Sequence, residues 1–378
     1  MRVLLLAGGD SPSAQYLRTW AERLCSAMNL QPIYLQSSDT AAIEAVAALA
    51  DYRILPLDDA AVAATARLSA RMARPLLEGD PESLYDKLGQ RLALVRTGLL
   101  SPPFALVDGA GDVRAFGERH GYPLMLKPSR GTESRGVSRV DGEAQIERAL
   151  AWARSAARAT GVDRVMAEGY LDGPDVAVES MVIDGVTTHL TISQSGWNGQ
   201  VWQAAAPVGS ALRPHLGAIG EAIARANSAL GLRWAATSNE LRVTADGPVI
   251  VEINARLGGG CCEDAVRLHS GIDRIDLMLR MLAGEEIRLP VPQQHPVVQA
   301  AMLAGVSGRV QRIEVPDDLF ADPDDILHLY LAPGRRIDAG GRQSLGWMVL
   351  RGRDGENAEQ LLPRAAGYAR RIRLITSE

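Results

Sequence analysis

The feature that most constrains the fold is a strand–turn–strand pattern past the middle of the chain. Asp246-Gly247, a dipeptide typical of tight hairpin turns, separates two strand-like segments at 239–243 and 249–254. If the chain turns there, residue 240 lies roughly opposite residue 252 in an antiparallel pair. The pattern therefore predicts a β-hairpin.

The two faces of this hairpin differ in chemistry. Strand side chains alternate between faces, so Val249, Val251 and Ile253 are predicted to share an apolar face. The other face would carry two carboxylates, a carboxamide and a guanidinium, from Glu240, Glu252, Asn254 and Arg256. Oxygen ligands at this density suit Mg²⁺ that bridges nucleotide phosphates. The alternative is a solvated sheet face on which glutamate and arginine pair.

Alternating strand and helix patterns open the chain. Residues 3–7 form a short apolar run that ends at Gly8-Gly9, which is typical of a buried parallel strand. The alternation continues with a helix capped by Ser13, a strand at 32–35, a helix at 40–49 and a strand at 53–57. This order predicts an α/β domain of roughly 75 residues. Gly8-Gly9 lacks the G-x-G-x-x-G spacing, which argues against a dinucleotide-dependent oxidoreductase.

A further helix is predicted to begin at Asp80-Pro81, because Asp caps helices and Pro fits their first turn. Gly98 would end this helix. Lys87 lies on the helix, and taken alone it is most simply a lysine exposed to solvent. The predicted buried stripe of the helix is Leu84, Leu88, Leu92 and Val95. Later elements are predicted as strands at 124–127 and 165–168, a hairpin at Asp184-Gly185 and a mixed α/β unit after Pro290.

A glycine-rich loop follows the first of these later strands. Lys127 begins the sequence Lys-Pro-Ser-Arg-Gly-Thr-Glu-Ser-Arg-Gly-Val, which ends at Val137. Backbone amides of such a loop can surround phosphate oxygens while the lysine neutralises charge. No Gly-Lys-Ser/Thr closes the loop, so it is not a Walker A sequence. A plain hairpin with an exposed lysine is the alternative.

Composition limits the class of function. A chain of 378 residues has room for two or three domains of ~100–200 residues each. The net charge of −5 argues against a general nucleic-acid binder, and there is no run of ~20 apolar residues that could span a membrane. Three cysteines, Cys25, Cys261 and Cys262, are too few for a disulfide framework. We therefore expect a soluble, cytoplasmic protein.

Three segments occur in a recognisable order. They are the loop from Lys127 to Val137, the stretch Glu-Gly-Tyr-Leu-Asp-Gly-Pro-Asp-Val-Ala-Val-Glu at 168–179, and Glu-Ile-Asn-Ala-Arg-Leu-Gly-Gly at 252–259. This set resembles the ATP-grasp superfamily of ATP-dependent carboxylate–amine ligases, and Glu-x-Asn-x-Arg-x-Gly-Gly is its most specific element. The tail from 308 to 365 resembles the C-terminal domain of L-amino acid ligases, which form dipeptides and are similar in architecture to biotin carboxylase.

The resemblance implies an α/β protein with the ATP-grasp fold. An N-terminal α/β (pre-ATP-grasp) domain would cover 1–80, and the ATP-grasp core would cover 81–290, with a lid subdomain at about 104–172. A C-terminal mixed α/β domain at 291–378 would complete the core. The implied reaction joins a small-molecule carboxylate to an amine, with an amino acid as substrate, through an acyl phosphate, and releases ADP and phosphate. A homodimer is a possible assembly.

The resemblance also implies residue roles in the nucleotide site. The residues that would contact ATP are Lys87, Lys127, Ser134, Gly136, Val137, Glu168, Tyr170, Leu171 and Asp175. Among them the two lysines would contact the phosphates, Glu168 and Leu171 would lie at adenine, and Asp175 would bind the ribose. Glu179 is a looser match that is open to a structural role.

The metal and catalytic roles follow in the same way. The implied ligands of Mg²⁺, for which Mn²⁺ can substitute, are Glu240, Glu252 and Asn254. Arg256 and Lys127 are the candidate catalytic residues, and Arg256 would stabilise the acyl phosphate and the tetrahedral intermediate.

Two departures leave the substrates open. Ser238-Asn239 precedes Glu240 where L-amino acid ligases often have His-Thr, and Gln194 or Ser195 stands where the family has a lysine. Whether Trp197, Trp202 or Cys261 line the substrate pocket is also open. The alternatives are a carboxylating or formyl-transferring ATP-grasp enzyme, similar to biotin carboxylase or to purine-pathway enzymes, and a non-catalytic nucleotide-binding protein.

Overall fold

The computed structural model describes residues 1–9, 11–48, 52–70, 72, 74–132, 134–198, 201–337, 344–353 and 355–377. Within this part of the chain the strands form four sheets. The buried apolar side chains lie between these sheets and the helices that cover them. None of the helices in these ranges is long and apolar enough to cross a membrane.

The chain begins with a parallel sheet of three strands in the order β2-β1-β3. Its strands are β1 (Arg2–Ala7), β2 (Gln31–Gln36) and β3 (Tyr52–Pro56), and its helices are α1 (Pro12–Ala27), α2 (Thr40–Ala47) and α3 (Asp59–Ser69). The side chains of residues 3–7 are fully buried because one face of the sheet packs against α1 and the other against α2 and α3. The predicted alternation of strands and helices is confirmed.

The first helix begins before its predicted cap. Ser11, and not Ser13, caps α1, because Ser11 Oγ accepts a hydrogen bond from the N–H of Ala14 at 3.1 Å. Pro12 then occupies the first helical position, where its missing N–H leaves nothing unsatisfied. Ser13 Oγ instead accepts from the N–H of Gly260 at 2.9 Å, which ties α1 to a loop of the central sheet.

The helix predicted from Asp80 is broken after one turn. A 3₁₀ turn covers Pro81–Leu84, and the chain restarts as α4 (Lys87–Arg96). Asp86 causes the restart, because its side chain accepts from two N–H groups of the next turn at 3.1 and 3.3 Å.

The buried face of α4 is largely polar, so the predicted apolar stripe was wrong at two positions. Leu92 and Val95 are 43% and 46% exposed. The buried positions are Gln90, Arg91 and Leu94. Gln90 and Arg91 tolerate burial because they donate hydrogen bonds to backbone carbonyls of the central sheet.

The second sheet is antiparallel, with the order β4-β7-β5-β6, and we call it the lid sheet. Its strands are β4 (Phe104–Val107), β5 (Leu124–Pro128), β6 (Ser138–Val140) and β7 (Val165–Gly169), and its helices are α5 (Ala110–His120) and α6 (Ile146–Ala159). The predicted strands at 124–127 and 165–168 are β5 and β7. β6 and α5 were not predicted.

The central sheet has eight strands in the order β12-β11-β8-β9-β10-β13-β17-β15, and all its pairings are antiparallel. The strands are β8 (Asp175–Ile183), β9 (Val186–Asn198), β10 (Val201–Ala206), β11 (Trp234–Thr244), β12 (Gly247–Asn254), β13 (Val297–Leu303), β15 (Ile326–Leu329) and β17 (Ser344–Arg351). One face packs against α7 (Leu216–Ala229) and α10 (Ala358–Arg371). Part of the other face packs against α8 (Cys262–Ser270) and α9 (Arg274–Leu282), and the rest of it lines a cavity.

The fourth sheet is small and antiparallel, with the order β16-β14-β18, and it includes the C-terminal strand. Its strands are β14 (Gly308–Glu314), β16 (Arg336–Ile337) and β18 (Arg373–Ser377).

The predicted hairpin is β11 and β12, and Glu240 lies opposite Glu252 as expected. A β-bulge follows, because Leu241 pairs with Ile250 and leaves Val251 as the extra residue. Ile250 and Ile253 therefore point into the apolar core, whereas Val251 lines the open face. The prediction that Val251 shares the apolar face was wrong for this reason.

Candidate active site

A cavity of about 1020 Å³ lies where the first domain, the lid sheet and the open face of the central sheet meet. Of the predicted site residues, Lys87, Lys127, Ser134, Val137, Glu168, Tyr170, Leu171, Asp175, Glu240, Glu252, Asn254 and Arg256 line it. Residues that are far apart in sequence therefore share one cavity.

Two carboxylates face each other at one end of the cavity. Glu240 and Glu252 are cross-strand partners, and Lys87 Nζ lies 2.8 Å from Glu252 Oε1. Burial and the repulsion of Glu252 raise the pKa of Glu240 to about 7. Burial would lower the pKa of Lys87, but Glu252 outweighs this and the pKa lies above its usual value.

This pair of carboxylates fits a divalent cation. Glu240 is buried beside a like charge, and a cation between the two carboxylates would relieve both the desolvation and the repulsion. Asn254 adds a carboxamide oxygen from the same strand, and all three residues line the cavity. Oxygen donors of this kind are those Mg²⁺ prefers.

A buried cluster of three charged side chains joins the lid sheet to α4. Lys127 Nζ lies 2.6 Å from Glu168 Oε2, and Arg91 Nε lies 3.1 Å from Glu168 Oε1. Burial lowers the pKa of Lys127 despite its partner. Burial alone would raise the pKa of Glu168, but the two cations hold it below its usual value. Lys127 is thus charge-paired within the protein as well as placed at the cavity wall.

Arg242 holds together the residues predicted at ribose and adenine. Its Nε and Nη2 donate to the two carboxylate oxygens of Asp175 at 2.6 and 2.9 Å. Its Nη1 donates to the Tyr170 hydroxyl at 3.0 Å and to the carbonyl of Leu171 at 2.6 Å. The sequence reasoning missed Arg242, although its spacing of two from Glu240 could have placed it on the same strand face.

Arg256 is anchored by a residue of the first domain. Its Nη2 donates to Asp59 Oδ2 at 2.9 Å, its Nε donates to Asp59 Oδ1, and both side chains are mostly buried. Burial would lower the pKa of Arg256, but Asp59 raises it further above its ordinary value, so the guanidinium stays charged. No sequence signal relates Asp59 to Arg256, because they lie 197 positions apart in the chain.

The glycine-rich loop is fixed to this site at several points. Lys87 Nζ donates to the carbonyl of Gly131 at 2.9 Å, and Arg130 Nη2 donates to Glu82 at 2.6 Å. Gly136 does not line the cavity: it has φ +77°, and a Cβ there would lie 2.5 Å from the Cβ of Ala156 on α6. This close approach to α6 requires a glycine at position 136. Gly136 therefore lies behind the cavity wall and does not contact the cavity.

The remaining candidates divide between cavity and core. Glu179 belongs to both: it lines the cavity but is buried, and it accepts from Arg274 at 2.7 Å and from Ser238 at 2.8 Å, which agrees with a structural role. Trp202 lines the cavity, as does Cys262, whereas Cys261 does not. The side chain of Trp197 lies outside the part of the chain that is described.

Residues 120–264 match the model of a family described as the ATP-grasp domain. The chain contains an ATP-grasp domain. It is 26% identical over 293 residues to an uncharacterised protein of Sinorhizobium fredii. The matched region covers 76% of this chain and 61% of that protein. The chain thus spans about three fifths of the length of this relative.

Two further similarities bear on the ATP-grasp assignment. The chain is 28% identical over 308 residues to the formate-dependent phosphoribosylglycinamide formyltransferase of Nitratidesulfovibrio vulgaris. The matched region covers 79% of this chain and 72% of that enzyme. The crystal structure of L-amino acid ligase from Bacillus licheniformis superposes with a TM-score of 0.79 at 20% identity, over 100% of this chain and 99% of that one. The ATP-grasp fold predicted from the sequence is therefore confirmed.

Proposed function

We propose that this protein is an ATP-dependent ligase that joins a carboxylate to an amine, with an amino acid as substrate. The observation that carries the proposal is the position of Arg256. It follows directly on the strand that bears Glu252 and Asn254, and it lines the same cavity as both lysines. A fixed guanidinium beside the phosphate-binding groups suits a reaction in which an acyl oxygen gains negative charge.

The first step transfers the γ-phosphoryl group of ATP to the substrate carboxylate. A carboxylate oxygen attacks phosphorus, the bond to the β-phosphate oxygen breaks, and ADP leaves. Lys87 and Lys127 neutralise phosphate charge, and Mg²⁺ held by Glu240, Glu252 and Asn254 would supply the remaining positive charge. The loop over the phosphates excludes water from the acyl phosphate.

The second step forms the amide. The amine nitrogen attacks the acyl carbon, and Arg256 stabilises the oxyanion of the tetrahedral intermediate. The C–O bond to phosphate then breaks, phosphate leaves, and the nitrogen loses its extra proton to solvent. Asp59 orients Arg256 through two parallel hydrogen bonds, so the guanidinium meets the developing charge without reorganising.

A second candidate function is formyl or carboxyl transfer. The likeness to a formate-dependent formyltransferase over 79% of this chain favours it. In that reaction the activated acid is formate or bicarbonate and not an amino acid. A nucleotide-binding protein without catalysis is a third candidate, and the presence of the complete charged set in one cavity argues against it.

The test is a phosphate-release screen with MgATP over all pairs of the twenty amino acids, with formate and bicarbonate in parallel arms. We expect release that requires an amino acid pair, and mass spectrometry should find the dipeptide. Glu252→Gln, which removes a charged ligand of the cation, should lower turnover strongly without altering the melting temperature. Release that depends on formate or bicarbonate would transfer the assignment to the second candidate, and ATP binding without release would favour the third.

A further inference from the structure

The open face of the central sheet changes in chemistry from one end to the other. On β12, β11 and β8 the side chains that line the cavity include Glu252, Glu240, Arg242, Asp175 and Glu179. On β9 they are Thr191, Ser193 and Ser195. On β10, β13 and β17 they are Trp202, Ala204, Ala206, Val297, Gln299 and Trp347, which we call the neutral end. None of these described residues of the last three strands is charged.

The register of the strands makes the neutral end one continuous surface. Trp202 on β10 and Trp347 on β17 both pair with Ala301 on the strand between them, so the two tryptophans stand in one row. Their ring centroids are 5.6 Å apart and their planes cross at 73°. In the neighbouring rows Ala204 lies opposite Gln299. Small residues beside an aromatic wall leave space over the sheet for a ligand group.

The neutral end adjoins the reacting centre. Gly260, which has φ +65°, packs so closely on Trp347 that a Cβ there would lie 2.8 Å from the ring. Only three residues of chain lie between Arg256 and Gly260, so their Cα atoms are at most about 14 Å apart. Arg256 and the two tryptophans also line the same cavity.

One largely buried polar side chain of the neutral end has no partner. Gln299 is 7% exposed, and within the described part of the chain its carboxamide makes no hydrogen bond. A largely buried carboxamide without a partner costs free energy, so Gln299 points to a ligand that completes its hydrogen bonds.

We infer that the neutral end is a specificity subsite for an amino acid whose side chain is apolar, either aromatic or branched. The inference rests on the proposed function, because the carboxylate of that amino acid would be activated near Arg256. Trp202 and Trp347 contact the side chain, and Gln299 hydrogen-bonds to the polar backbone of the amino acid. A charged side chain or a sugar phosphate would find no counter-ion among the described residues of this end.

Calorimetric titration tests the subsite without turnover. The full chain with Mg²⁺ and a non-hydrolysable ATP analogue is titrated with phenylalanine, leucine, aspartate, lysine and ribose 5-phosphate. We expect phenylalanine or leucine to bind at least about tenfold more tightly than the other three. Equal or tighter binding of aspartate, lysine or ribose 5-phosphate would overturn the inference.

Substitutions assign the preference to the named residues. Trp202→Ala should weaken binding of phenylalanine about tenfold or more, whereas Trp152→Ala, on an exposed tryptophan of α6 outside the cavity, should leave it unchanged. Gln299→Glu is nearly isosteric and adds a negative charge, so it should shift relative affinity from phenylalanine towards lysine at least about tenfold. Unchanged binding in a folded Trp202→Ala or Gln299→Glu protein would overturn the inference.

The same samples separate the two proposals. If apolar amino acids bind as expected but no added amine gives phosphate release, the proposed function fails and the subsite stands. If phosphate is released with charged amino acids in preference to apolar ones, the ligase function stands and the subsite fails.

Discussion

Arg256 is the residue whose role is tested most directly. A residue that stabilises the oxyanion and a residue that binds the nucleotide give opposite results when they are substituted. We expect Arg256→Ala to bind MgATP nearly as well as the unchanged protein but to lose about 100–1,000-fold in product formation. The reason is that Lys87 and Lys127 remain at the phosphates, while the oxyanion loses its donor. Nucleotide titration and product assays check the two halves separately.

The controls for this prediction are substitutions that alter the ion pair between Arg256 and Asp59. Arg256→Lys keeps the charge but not the planar fork, so it should recover activity only in part. Asp59→Asn removes the charge that orients Arg256 and should lower the turnover number more than it changes affinity for MgATP. If Arg256→Ala lost nucleotide affinity and still formed product, Arg256 would be a nucleotide clamp.

At the same scale, the sequence predicted pairings that follow from local geometry. Glu240 and Glu252 were placed opposite each other because a hairpin with a known turn sets its own register. Asp59 could not be predicted, because its contact with Arg256 depends on how two domains pack. Arg91 was missed because a lysine or arginine on a helix is usually exposed, and its burial follows from carbonyls that lie elsewhere in the chain.

Among the elements, α4 acts as a clamp on β12, the strand that carries the proposed metal ligands Glu252 and Asn254. The Gln90 carboxamide donates to the carbonyl of Ile253 at 2.8 Å and accepts from its N–H at 3.0 Å. Arg91 donates to the carbonyls of Ile250 and Val251, at the bulge of β12. Ile253 lies between Glu252 and Asn254, so α4 fixes the position of both side chains.

Substitution of Gln90 tests this clamp. Gln90→Met keeps the volume but leaves the backbone of Ile253 unsatisfied, so we expect it to lower the free energy of unfolding by about 2–4 kcal/mol. It should also raise the Mg²⁺ concentration required for half-maximal activity. Leu92→Ala, on the exposed face of the same helix, should change stability by no more than about 0.5 kcal/mol. Equal effects of the two substitutions would show that α4 does not position β12.

The glycine-rich loop at 129–136 is the element for which we predict a change on nucleotide binding. It contains Arg130 and Arg135, after which trypsin can cleave, and it is held by polar contacts of Lys87 and Glu82 with few apolar ones. We expect MgATP to slow cleavage at these two arginines several-fold relative to cleavage at other sites, because the loop closes over the phosphates. Cleavage rates that are equal with and without MgATP would contradict closure.

For the whole molecule, the buried His269 and the partly buried His189 predict acid sensitivity. Burial lowers the pKa of His189 and of His269 below 6.5, the usual value. Between the lowered value and 6.5 the unfolded chain binds more protons than the folded one, so the free energy of unfolding falls as pH decreases through this window. The change is at most about 1.4 kcal/mol per pH unit for each histidine.

Melting curves of single variants check this sign. His269→Gln keeps a hydrogen-bond donor for the carbonyl of His295 but cannot titrate, so it should reduce the loss of melting temperature between pH 7.5 and 5.5. His120→Gln, at an exposed position on α5, should retain the pH dependence of the unchanged protein. A variant of His269 that is as acid-sensitive as the His120 control would refute the assignment.

The pairing of β10 with β13 has a consequence for how this chain can be divided. Six consecutive residue pairs join these strands, and β13 begins only at Val297. A fragment that stops before β13 would expose the backbone donors and acceptors of β10 along its whole length. Such an open edge is a template for pairing with other chains, and aggregation is its usual outcome. The last eighty or so residues are therefore not an appendage that gene truncation or domain exchange could remove, because they supply β13, β15 and β17, which continue the central sheet beyond β10.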